Sequence, residues 1–199
     1  HLDNLFEKYP QGNRIADGLF WLGESRYGAG DPRGAESVYR IMIQRFSMHE
    51  LVAEARYGRA WALYKAGEFN TAARAFGNYV RSFPNGNFAI DAELKIADSF
   101  FSAKDYVRAE SAYHVFYQKY PDRDEQQRAH YQWSVSLLKT GKAGEAASAF
   151  QYHAETWAGS ALADDAKYMI GWSHFKAERY QDAIASYRTF LESEPSSPY

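Results

Sequence analysis

Apolar residues return along this chain at helical spacing, in blocks closed by glycine or by short polar breaks. Ile15, Leu19 and Leu22, with the small Gly23, form the inner stripe of a first helix that stops at Gly30. Asp31 and Pro32 then supply an N-cap and a first-turn proline, and the stretch RGAESVYRIMIQRF makes a second helix. Two helices joined by a tight turn make a hairpin. The same succession follows with its stop at Gly67, and the next break is Pro84-Asn85-Gly86. The third block has Lys104-Asp105 where its neighbours have glycine, so its turn must close without the cheapest left-handed residue. The fourth restores Gly141 but carries Ala158 where a closing proline is expected, and the fifth is the most regular.

The hairpins are in strict register. Ala35, Ala72, Ala109, Ala146 and Ala183 stand 37 residues apart, and four residues after each comes an aromatic: Tyr39, Phe76, Tyr113, Phe150, Tyr187. Residues four apart lie on one helix face, so the pair presents a small and a large side chain together. A third position is always small: Gly23, Ala60, Ala97, Ser134, Gly171. It is expected to face the alanine of the second helix and to let the two backbones approach, while the aromatic fills the space toward the next layer. Five copies in register define a repeat protein, read as one array with repeats at 14–50, 51–87, 88–124, 125–161 and 162–199. Residues 1–13 read as the end of a preceding repeat, and "EPSSPY" as the start of another, so the chain reads as a segment of a longer protein.

Composition narrows the function classes. With 23 Lys+Arg against 25 Asp+Glu the net charge is −2, and no basic stripe is present to neutralise nucleic-acid phosphates. No apolar run is long enough to span a bilayer. The chain has no cysteine, which removes disulfides, thiolate nucleophiles and thiolate metal sites. It carries no G-x-S-x-G, P-loop or G-x-G-x-x-G pattern, so no catalytic residue, metal site or cofactor is expected. Its six histidines include no H-x3-H pair, and His153 and His174 fall at packing positions of the repeat. The acidic pairs Asp122/Asp124 and Asp164/Asp165 lie where helices begin, a capping rather than a catalytic location.

The pattern resembles the tetratricopeptide repeat family, whose consensus runs W-x2-L-G-x2-Y, A-x3-F, then P. Ile170-Gly171, Ala183, Tyr187 and Pro195 stand where that consensus requires them. The period is 37 rather than about 34 residues. The three extra residues are expected as one more turn at the start of each first helix, capped by Asn13, Asn87 or Asp124. "KYPQGN", "SFPNGN" and "KYPD" between repeats resemble a subgroup in the bacterial envelope, of the outer-membrane-assembly lipoprotein and Tol–Pal-associated type. The resemblance implies an all-α fold of tandem hairpins in a right-handed superhelix. It also implies a periplasmic or outer-membrane location, the alternative being the cytoplasm.

A superhelix of this kind has a concave wall made from the first helices. The residues expected there as a partner-binding surface are Phe20, Glu24, Tyr57, Trp61, Asp98, Tyr131, Lys139, Tyr168, Trp172 and Lys176. Aromatics anchor a peptide through large area and few rotatable bonds. The competing reading is plain packing between hairpins, and it is the stronger one for Tyr27, Tyr64, Phe101 and Phe175. The inward positions lack the Lys and Asn pattern of a carboxylate clamp. The function expected is therefore a non-catalytic scaffold for a protein or peptide partner. A regulatory array within a larger enzyme or secretion apparatus, or a self-associating spacer, is the alternative.

Overall fold

The computed structural model describes residues 12–193. Ten α-helices account for nearly all of that span: α1 (Asn13–Gly28), α2 (Pro32–Arg45), α3 (Val52–Lys65), α4 (Phe69–Ser82), α5 (Ala89–Ser102), α6 (Tyr106–Lys119), α7 (Glu125–Lys139), α8 (Ala143–Thr156), α9 (Ala163–Lys176) and α10 (Tyr180–Ser193). They fall into two compact units, residues 1–103 and 104–199. In the first, α1 packs on α2, α2 on α3, α3 on α4 and α4 on α5; in the second, α6 packs on α7, α7 on α8, α8 on α9 and α9 on α10. The fold class is all-α, built from tandem helical hairpins.

Each turn inside a hairpin uses one left-handed residue. Gly30, Gly67 and Gly141 have φ near +80°, and the non-glycine residues Lys104 and Glu178, at the same place in the repeat, have φ of 61° and 60°. The residue after four of these donates its N–H five residues back: Asp31 to Arg26, Glu68 to Leu63, Lys142 to Leu137, Arg179 to His174, all at 2.9 Å. This is a Schellman closure, which satisfies carbonyls that a helix end leaves bare. The next helix starts at once, with Asp31 and Asp105 accepting from the N–H groups of Gly34 and Arg108, and with Pro32 in the first turn as expected.

The connections between hairpins are built differently from the sequence expectation. First and second helices are alike in length, so no first helix gains a turn, and the longer period goes into connectors such as 46–51, 83–88 and 157–162. Each connector is two successive short turns, closed in the second case by Gly86 N–H to Phe83 O (3.0 Å) and Ala89 N–H to Gly86 O (2.9 Å). The cap positions of α5 and α7 fall on Phe88 and Asp124, and neither these nor Gly12 before α1 makes a side-chain cap bond. The expected caps from Asn87 and Asp124 are therefore not formed, because the connector's own carbonyl turns meet the first free N–H groups. A second aromatic series, Phe46, Phe83, Tyr120 and Trp157, ends the second helices at the repeat spacing.

The recurrent alanines are fully buried, as are Phe76 and Phe150, with Tyr39 and Tyr113 nearly so. At the two glycines of the small series the close neighbour is an aromatic ring. A methyl group on Gly23 would lie 2.6 Å from the Tyr39 ring, and one on Gly171 would lie 2.7 Å from the Tyr187 ring. These glycines make room for a phenol; the other small residues are Ala60 with Phe76, Ala97 with Tyr113 and Ser134 with Phe150. Tyr39 also reaches the next hairpin, where a methyl on Gly58 would stand 2.9 Å from its Cζ. One ring thus joins α1, α2 and α3.

The second unit holds a buried histidine pair. His130 in α7 and His153 in α8 stack at 5.6 Å, surrounded by Tyr131, Tyr152 and Trp157. Both are shut from solvent, and neither His153 nitrogen nor Nδ1 of His130 has a hydrogen-bond partner. Desolvation, then the neighbouring His153 and His114, holds the His130 imidazole down at about 3; desolvation alone holds His153 at about 4.

Candidate functional site

In the first unit, four of the residues expected on the binding wall converge. Phe20 and Glu24 of α1 and Tyr57 and Trp61 of α3 line one cavity of about 350 Å³. Tyr27, Tyr39, Glu54, Gly58 and Phe88 complete its lining. The convergence follows from the repeat: positions 20 and 24 in the first hairpin are positions 57 and 61 in the second, so adjacent first helices present them side by side.

Each wall residue is held from behind. Tyr57 stacks flat on Phe88 (4.3 Å between centroids, 8° between planes), meets Phe76 edge-on at 6.0 Å and donates its hydroxyl to Asp91 of the next hairpin. Burial first, and then the bond to Asp91, raise the phenol above the usual tyrosine range. Trp61 packs edge-on against Tyr57, Tyr64 and Phe76. Its face carries Lys95, whose Nζ lies 4.9 Å from the ring centroid and is paired at 2.8 Å with Asp98. Glu24 accepts the Tyr39 hydroxyl. Phe20 is mostly core, in edge contact with Trp21. Asp98 is 8% exposed, so its carboxylate serves Lys95 rather than an open surface.

Glu54 and Phe88 are cavity residues that the sequence reading does not single out. Oε2 of Glu54 is buried and has no hydrogen-bond partner. Among the described residues the lining contains two carboxylates and no Lys, Arg or His.

In the second unit two of the remaining candidates, Trp172 and Lys176, touch each other, and Tyr131, Tyr168 and Lys139 lie against other aromatic rings. Tyr131 lies half-buried, edge-on to Phe150 at 5.5 Å, and Tyr168 leans on Tyr187 at 5.6 Å and Phe190 at 6.1 Å. Trp172 is 36% exposed, stacked on Phe175 at 5.6 Å, with Lys176 Nζ 4.9 Å from its ring. Lys139 lies 6.0 Å from the Tyr106 ring. A depression beside α8 and α10 is lined by Gln151, Lys167, Ile170 and Phe190 and includes none of the residues expected to meet a partner. Among the described residues no cluster of three His, Asp or Glu could hold a metal ion, and no helix is long and apolar enough to cross a membrane.

The hairpin geometry, with its Schellman turns and aromatic interlocks at a period of 37, can be compared with known families. Tetratricopeptide-repeat families match residues 17–47 and 131–198, and the outer membrane lipoprotein family YfiO matches residues 49–143. These are tetratricopeptide repeats. Solved structures of similar fold include MamA (residues 41 to the end) from Desulfovibrio magneticus RS-1, at 15% identity, 92% of this chain, 97% of that one and a TM-score of 0.69. The tetratricopeptide protein YrrB, described as having an unusual peptide-binding site, is 16% identical, with 98% and 92% covered and a TM-score of 0.67. The apo form of RapI gives 0.75 at 11% identity, covering 100% of this chain and 59% of that one. No curated protein sequence matches significantly.

Proposed function

We propose that this tetratricopeptide array is a non-catalytic protein-binding module whose contact surface is the first-helix wall, and that it serves an assembly in the bacterial envelope. The observation that carries the binding reading is the cavity in which Phe20, Glu24, Tyr57 and Trp61 meet, with the aromatic rings fixed by partners behind them. Rigid aromatic walls lose little conformational entropy on contact, and this makes them effective anchors for an extended segment. YrrB, a structural neighbour, is described as a peptide-binding repeat protein, and the match to the outer membrane lipoprotein family supports the envelope assignment.

Photocrosslinking in cells expressing the full-length gene tests the reading. A photoreactive residue at position 24 or 172 samples the first helices, and one at the exposed positions 40 or 74 samples the second. A partner trapped from 24 or 172, recovered in the envelope fraction, is the expected outcome. Adducts from 40 and 74 alone would move the surface to the opposite helices, and adducts confined to cytosolic proteins would remove the envelope assignment.

A further inference from the structure

The chemistry of the cavity between α1 and α3 goes beyond a generic apolar groove. Its walls include the rings of Tyr27, Tyr57, Trp61 and Phe88, and the ionisable groups among its described lining residues, besides phenols, are Glu24 and Glu54. Among the described residues no Lys, Arg or His lines it. A buried carboxylate oxygen without a partner is costly, and Oε2 of Glu54 is in that condition. Aromatic faces attract cations through their quadrupole, most effectively where water is excluded. The protein makes such a contact close by, with Lys95 over Trp61. Negative charge and aromatic rings in the lining, with an unmet carboxylate oxygen buried in the wall, ask for the same ligand chemistry.

We infer that this cavity receives the side chain of an arginine presented by an extended segment of the partner protein. The inference rests on the binding reading above and names the chemistry of its ligand. Arginine fits better than lysine on two grounds. Its guanidinium is planar and weakly hydrated, so it lies against aromatic walls at a smaller desolvation cost. Its several N–H groups also allow more than one bond to Glu24, while its charge offsets that of the Glu54 carboxylate in the cavity wall. The volume suits one long side chain rather than a folded element, lying at the small end of ligand cavities. The recess is therefore charge-selective in the opposite sense to a carboxylate clamp.

The test is a titration of the isotope-labelled full chain, followed by NMR, with N-acetyl-arginine methylamide and with the citrulline, lysine and leucine counterparts. Citrulline keeps the shape of arginine and loses the charge. Expected are saturable shifts at the Trp61 indole and around Tyr57 with the arginine probe, and binding about tenfold or more weaker for citrulline and for arginine on Glu54→Gln. Glu54→Gln should keep the helical circular dichroism of the parent, since Oε2 has no bond to lose. Equal binding of citrulline, or undiminished arginine binding by Glu54→Gln, overturns the inference. Lysine binding as well as arginine overturns the choice of guanidinium. Leucine shifting the same residues while arginine does not would overturn the cationic ligand yet leave the first-helix binding surface standing; no shift from any probe would count against both.

Discussion

Five residues one repeat apart, Gly30, Gly67, Lys104, Gly141 and Glu178, all adopt the left-handed backbone, and two of them have a Cβ that makes it costly. A non-glycine residue there costs roughly 1–2 kcal/mol, part of which glycine returns through its looser unfolded chain. Glu178→Gly should therefore stabilise the protein by about 0.5–1 kcal/mol, read as a rise in the denaturant midpoint at unchanged slope. The turn at Lys104 is legible from the sequence because the spacing forces a turn whatever the residue. The glycines inside helices have the reverse character. Gly23→Ala gains up to about 1 kcal/mol of helix propensity but drives a methyl into the Tyr39 ring, and a net loss of about 1–2 kcal/mol is expected. In a Tyr39→Leu background that loss should shrink, a non-additivity that thermal melts of the four proteins would show. Glu54 and Phe88 escape a reading of the sequence for physical reasons. A carboxylate in the first turn of a helix is commonplace, and Phe88 lies in a connector that reads only as a break.

At the scale of elements, helix identity and order follow from the 37-residue register, because each amphipathic stripe must meet its neighbour in the same phase. Ala109, fully buried in α6, belongs to that stripe, and Ala109→Leu should cost about 1–3 kcal/mol through overpacking. What register does not reveal is which polar residues the packing imprisons. His153 takes a packing position as expected, but its stacking on His130 depends on two helices coming together. Both imidazoles are held neutral when folded, and both gain protons near the ordinary value of 6.5 when unfolded. The unfolded state then binds more protons between pH 6.5 and about 4, so this contribution to stability is whole above 6.5 and falls away as pH drops through that window. His153→Phe keeps the ring contacts and removes one titration. Its stability should decline less than the parent's between pH 7 and pH 4.5 in denaturant melts; parallel declines would show that the pair does not set the acid response.

For the whole molecule, acid sensitivity should be uneven. The histidine pair lies in α7 and α8 of the second unit, whereas the cavity and its supporting rings belong to α1–α4 and the connector before α5. Hydrogen exchange at pH 5 against pH 7, corrected for intrinsic rates, should speed up in α7 and α8 with little change in α1–α4. Equal acceleration throughout would mean that opening is global. The fold is readable at this scale because repetition carries it.

The cavity is written in departures from the repeat. Stepping on by one repeat from Glu54, Tyr57, Trp61 and Phe88 gives Asp91, Leu94, Asp98 and Glu125; a second step gives Arg128, Tyr131, Val135 and Leu162. A third step gives Asp165, Tyr168 and Trp172, so the acid, the tyrosine and the tryptophan of the recess return in the fifth repeat with two unlike repeats between. Duplicating or deleting a hairpin elsewhere would lengthen or shorten the array without copying or erasing it. In descent, such a protein can change its reach while its grips stay put, so relatives with different numbers of repeats between them can still hold the same partner at spaced points rather than along a zipper.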